Sequence, residues 1–442
     1  MKKLLFILAV FLGLQINAQH TISGTFSPAK EYKWVIAYQL KPSSQNFVVD
    51  TAIKNGVFEL KMPENAAAGT YRLVYAIPQE QFYFDVIYNG KEDITLAFDA
   101  TSGVSFFNSK ENILFNTYFK EITDLERQIT DYYTSGNTDK KDFIALTKAL
   151  QNVQDTYEKR SMGTMAHHFI TSNKPYIPKD SPTVYSYIEG KKKHYFDALQ
   201  FQDTLLQASG FLTDKLLNYT FTALPLKTMT DQERQEAMNA NVNKINEILA
   251  HIGDPYKMHV FYSLWTQAAT SAYDITSDYI YHTYLKKLAI ATKNKKLIGE
   301  IEVHNRLRMG AVAPNIKWEK NKVPFTLQGL QGAENYILVF WSSTCSHCLN
   351  ELPALHKKLE DFGSESVKVV AVGLENDSIN WEKESARLPH FEHAIALGKW
   401  ESAYAKIYDI QKTPTYFILD KDKRIIAKPE TDKDVVVFLE NK

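Results

Sequence analysis

Cysteine is almost missing from this chain: 442 residues hold two, Cys345 and Cys348, both inside the tetrapeptide Cys345-Ser346-His347-Cys348. No sulfur is left for a structural disulfide, so a disulfide-stapled scaffold is excluded and stability has to come from hydrophobic cores. Excess charge of one sign is missing too. Lys+Arg and Asp+Glu both count 51, which leaves no basic footprint for a nucleic acid or an anionic membrane. Long apolar runs are scarce. The one at residues 4–14 is shorter than the roughly 20 residues that span a bilayer. No fixed internal period occurs, which excludes a regular solenoid. What remains is the composition of a soluble globular protein, 44% hydrophobic and 23% charged.

The apolar run at 4–14 follows Lys2 and Lys3 and precedes Ile16-Asn17-Ala18. That is the layout of a secretory signal peptide, residues 1–18, cleaved before Gln19. No cysteine follows the run to carry a lipid, so the expectation is an exported, periplasmic protein that is not a lipoprotein. A retained anchor helix is the alternative. Export changes how the cysteine pair reads. A reduced, zinc-holding pair suits the cytosol, whereas an exported pair drifts to the disulfide unless something reduces it.

At roughly 100–200 residues per domain, the chain has room for two or three. Residues 19–105 alternate in short β-type runs broken by turns, with Asn55-Gly56 as a hairpin signal, and predict an antiparallel β-sandwich or barrel. Near Ser109 the period lengthens. Ile113, Leu114, Tyr118, Ile122 and Leu125 fall on one stripe, opening an all-helical region over 106–310. Within it, His167-His168 reads as a helix face and Lys191-Lys192-Lys193 as a solvated surface. From 311 to 442 strands and helices alternate. Residues 335–341 form a continuous apolar run, the mark of a strand covered on both faces. The fold class is therefore multidomain: a β-sandwich-like N-terminal domain, a helical middle and an α/β domain.

The cysteines follow that apolar strand and open a helix. There the unpaired N–H groups and the positive end of the dipole favour thiolate at the first sulfur. Thiolate attacks disulfides, and a second cysteine one turn on can resolve the product.

Residues 311–442 resemble the thioredoxin-fold domain of the TlpA/ResA-like thiol–disulfide oxidoreductase family. The matching stretches are Val339-Phe340-Trp341, Cys345-Ser346-His347-Cys348, Glu351-Leu352-Pro353, and Lys412-Thr413-Pro414-Thr415 running into Tyr416-Phe417-Ile418-Leu419-Asp420. The N-terminal portion resembles the β-rich domain attached to such proteins in Bacteroidetes-type bacteria. The resemblance implies Cys345 as attacking thiolate, Cys348 as resolving thiol and Glu351 as a proton-transfer group. It also implies a cis Pro414 facing the sulfurs and substrate pairing at Thr413. Trp341 either covers the site or packs the core. His347 stands where the family more often has proline or another uncharged residue. An imidazolium there would favour the thiolate; a solvated histidine would do little. The implied activity needs no cofactor or metal. Its partners are protein disulfide or dithiol substrates and an upstream membrane or periplasmic thiol donor.

Other readings stay open. The chain could run as a thiol oxidase or a disulfide isomerase. The first 300 residues could bind a partner protein or glycan, with the thioredoxin domain as an accessory. Cys345 and Cys348 could join His390 and His393 on zinc, although Leu388-Pro389 indicates a loop there and the spacing is unlike a zinc finger. A peroxidase reading lacks the expected proline and has its threonine at the wrong spacing.

Overall fold

The computed structural model describes residues 20–363 and 365–441, so the expected signal peptide lies outside the described residues. The chain divides into two compact units at Thr292/Lys293.

The first unit opens with eight strands: β1 (Thr21–Ser27), β2 (Trp34–Lys41), β3 (Ser44–Ala52), β4 (Val57–Lys61), β5 (Gly69–Val74), β6 (Tyr83–Tyr88), β7 (Ile94–Asp99) and β8 (Gly103–Phe106). They form two four-stranded sheets, ordered β4-β1-β7-β8 and β3-β2-β5-β6. Alternate residues of both sheets, among them Ile22, Leu60 and Leu96 from one and Val35, Tyr71 and Leu73 from the other, meet in a single core. This is a sandwich. It departs from the antiparallel expectation at one place, because β1 pairs with β7 in parallel. Gly24 lies in that pair, and a Cβ there would sit 2.0 Å from the Leu96 carbonyl oxygen. The close approach admits no larger residue. Asn55 and Gly56 both take positive φ, as the tight hairpin turn demands.

The helical part begins with Lys110–Thr134, whose first turn is fastened in three ways. Ser109 caps it by accepting the Asn112 N–H. The buried Asn112 side chain pairs with both the N–H and the C=O of Ile87 at 2.8 Å, acting as a strand neighbour to β6. Glu111 accepts the Ala166 N–H at 2.8 Å, at the start of a helix at Ala166–Ser172. Leu114, Tyr118, Ile122 and Ile129 then bury their shared face against Phe143, Leu150 and Tyr157. His168 pairs with Asp203, Lys191 with Glu126 and Lys192 with Glu189. The lysine run thus has local partners.

The second unit begins with the helix Lys295–Leu307. It continues through a hairpin, β9 (Lys317–Lys320) and β10 (Val323–Thr326), to β11 (Asn335–Trp341), β12 (Val367–Glu375), β13 (Glu392–Leu397), β14 (Thr415–Asp420) and β15 (Ile425–Ala427). The last five form one sheet in the order β13-β12-β11-β14-β15. β11, β12 and β13 run parallel, while β14 is antiparallel to β11. Every residue of β11 is buried. Its side chains alternate between two cores, as the strand period requires. Leu338 and Phe340 join Val370, Val372 and Phe417 on one face. Ile337, Val339 and Trp341 join Ala371, Ile418, Leu352 and Leu355 on the other. Among the described residues no helix is long and apolar enough to cross a membrane.

Candidate functional site

β11 delivers the chain to Ser342-Ser343-Thr344, which turns it into the helix Ser346–Leu359. The turn hangs on Glu375, the last residue of the neighbouring strand β12, only 3% exposed. Its Oε1 accepts the Ser343 N–H at 2.5 Å and its Oε2 accepts the Ser342 hydroxyl at 3.4 Å. Ser342 Oγ accepts the Thr344 N–H at 3.3 Å, and the Ser342 carbonyl accepts the Cys345 N–H at 3.1 Å. A carboxyl group at the end of a buried strand thereby sets where the helix begins.

Cys345 is the N-cap of that helix, with extended backbone (φ −91°, ψ 114°), and its sulfur accepts the Cys348 N–H at 3.2 Å. Sulfur here does what Ser or Asp oxygen does at an ordinary cap, and negative charge on it faces the positive end of the helix. Sγ also lies 3.4 Å from the Thr413 carbonyl oxygen, which can accept its S–H. Burial pushes the Cys345 thiol up. Hydrogen bonding from the Cys348 thiol, the Cys348 N–H, the Thr413 side chain and the His347 N–H outweighs it, and the pKa falls below the ordinary value. Cys348 is shifted the other way. It is 0% exposed, and burial followed by its hydrogen bond to Cys345 raises it to about 12. Both cysteines are free thiols. The arrangement is one partly accessible sulfur disposed to ionise above one held protonated.

The structure gathers most of the sequence-selected residues here. Thr413-Pro414 is a cis peptide bond, with its carbonyl on Cys345. Trp341 is buried in the core cluster that contains Cys348, and its indole N–H has no hydrogen-bond partner among the described residues. It packs behind the sulfurs and shows no face to solvent. Glu351 lies one turn beyond Cys348 and accepts the Tyr416 hydroxyl at 3.1 Å. Burial, then the Glu351 carboxylate, pushes the Tyr416 hydroxyl well above the usual phenol range, so it stays a donor. His347 is exposed, and the group it turns on Cys345 is its backbone N–H.

The zinc alternative is not assembled. His393 lies on β13, beyond the expected loop, with Nε2 at 2.9 Å from the Leu388 carbonyl. The one His/Cys/Asp/Glu cluster with metal-ligand spacing among the described residues contains neither cysteine. Sequence reasoning missed Glu375. The available signal was an acidic residue ending the apolar run 367–375, which the β11–β12 register carries alongside the active-site turn.

Residues 308–435 match the Redoxin family model. The thiol–disulfide oxidoreductase ResA of Geobacillus thermodenitrificans is 26% identical over 129 residues, covering 26% of this chain and 73% of that protein. ResA of a Bacillus cereus strain is 23% identical over 124 residues, covering 28% of this chain and 70% of that protein. Among solved structures, a domain of a possible thiol-disulfide isomerase from Cytophaga hutchinsonii is 29% identical, covering 30% of this chain and 92% of that one, with a TM-score of 0.28. A thioredoxin-like protein from Bacteroides caccae is 18% identical over 60% of this chain and 97% of its own, with a TM-score of 0.36. The C-terminal part of this chain is a Redoxin domain homologous to the ResA-type thiol–disulfide oxidoreductases.

Proposed function

We propose that this protein is an exported thiol–disulfide oxidoreductase that reduces disulfides of periplasmic proteins. The observation that carries the reading is the opposed pair of sulfurs, Cys345 lowered and partly accessible, Cys348 raised and buried. The Cys345 thiolate attacks one sulfur of a substrate disulfide, forming a mixed disulfide and expelling the other sulfur as thiolate. Cys348 then loses its proton and attacks Cys345 Sγ, which closes the Cys345–Cys348 disulfide and frees the second substrate sulfur. A thiol donor returns the pair to dithiol. A thiol raised to about 12 needs a proton acceptor for the second attack, and Glu351 is the acidic group on the same helix, held by Tyr416.

Insulin reduction by the dithiol form, together with the reduction potential of the pair, tests this reading. Turnover and a potential near thioredoxin's, about −270 mV, are expected; a potential near about −120 mV without reductase turnover makes the protein an oxidant instead. In the same assay Glu351→Gln is expected to slow turnover about a hundredfold, the low end of general acid–base effects. An unchanged rate removes Glu351 from the mechanism.

A further inference from the structure

The C-terminal end of the active-site helix carries a second constellation that thiol chemistry does not use. His356 and Glu360 are one helical turn apart and share a face, with His356 Nδ1 and Glu360 Oε1 at 3.6 Å. His390, in the segment leading into β13, lays its ring against His356 with centroids 5.2 Å apart and planes 14° from parallel. One ligand atom from each of the three lies within 4.8 Å of the others. They line a cavity of about 460 Å³. The His356 side chain is only 11% exposed, and its Nε2 is buried with no hydrogen-bond partner among the described residues, an unsatisfied polar atom that calls for an explanation.

We infer that His356, Glu360 and His390 form a binding site for a divalent cation of the zinc type. Two imidazoles and a carboxylate are a donor set suited to such ions. Zinc bonds of about 2.0–2.1 Å put tetrahedral ligand atoms about 3.3 Å apart, so the cluster has to contract. Glu360 and His390 are exposed and can turn inward, whereas His356 is fixed by packing on Phe391. The negative end of the helix dipole favours a cation at this position. Lys368 also lines the cavity, but its ammonium donates to the Gln331 carbonyl at 2.5 Å. Three protein ligands leave a fourth position for water or an exogenous ligand. His356 is eight residues beyond Cys348, about 12 Å along the helix at about 1.5 Å per residue. The cation would therefore be held independently of the cysteines.

The test uses the full chain with Cys345→Ser and Cys348→Ser, so that thiolates cannot take up metal, titrated with zinc alone by calorimetry. One zinc per chain is expected. His390→Ala and Glu360→Gln should each weaken binding more than about tenfold, since even outer partners of a metal are worth that much. Both residues are exposed, so the thermal unfolding midpoint of metal-free protein should not move. No saturable zinc binding, or binding that both substitutions leave unchanged, overturns the assignment.

Discussion

Cys345→Ala is expected to abolish insulin reduction, with turnover at least about a thousandfold below wild type, as removal of a nucleophile does. Stability should barely change, because the sulfur is only partly buried and its cap bond to the Cys348 N–H is worth about 1 kcal/mol. The contrast with Cys348→Ala is the informative part. That variant keeps the attacking sulfur and should form a mixed disulfide with insulin that does not resolve, giving a stoichiometric adduct without turnover. Turnover by Cys345→Ala would mean that the helix cap is not the site of attack.

Glu375→Ala is expected to damage the site from behind. It strips the acceptor from the buried Ser343 N–H and from the Ser342 hydroxyl, and a buried donor left without a partner costs about 2 kcal/mol. For a domain of this size that lowers the unfolding midpoint by roughly 4–8 °C. The turn that presents Cys345 should loosen, so alkylation of Cys345 at neutral pH should slow toward the rate of an ordinary thiol. Glu375→Gln retains an acceptor oxygen for Ser343 and should lose much less of both quantities. If Ala and Gln behave alike, or neither changes Cys345 reactivity, Glu375 is not positioning the turn. The measurement is thermal melting of the C-terminal transition alongside the alkylation rate.

The difference between Cys345 and Glu375 shows what one sequence can disclose. Cys345, Cys348 and Thr413-Pro414 are short-range motifs, and β11 announces itself as an unbroken apolar run. Each is legible without knowing what lies beside it. Glu375 matters only because parallel pairing of β11 with β12 carries it to the turn, and register across a crossover leaves no local trace. The same holds for β13. Its six residues form an edge strand directly after Leu388-Pro389-His390-Phe391, where the proline reads as loop and hides the strand start. The parallel β1–β7 pair was equally hidden, because alternation reveals which face is buried and not which way a neighbour runs. In the 346–359 helix, spacing alone puts Leu349 beside Leu352, Leu355 and Leu359, but Leu349 is exposed. Cys348, Leu352, Leu355 and Leu359 make the buried face instead, because Cys348 takes the inward position one residue earlier. His356, Glu360 and His390 meet only after the fold brings the loop before β13 to the end of that helix.

If the two sulfurs are electrostatically opposed, the pH dependence of alkylation on the reduced protein has to separate them, with the modified residue identified by mass spectrometry. The rate follows the thiolate fraction. Because the Cys345 pKa is lowered below that of an ordinary thiol, its reactivity should be full above that pKa and should fall as pH drops through it. Cys348, raised to about 12, should remain unmodified throughout the range in which Cys345 titrates. Modification of Cys345 alone with a midpoint below that of a free thiol is the predicted result. Equal labelling of both cysteines, or a Cys345 midpoint at or above the free-thiol value, would mean that the two sulfurs are not opposed.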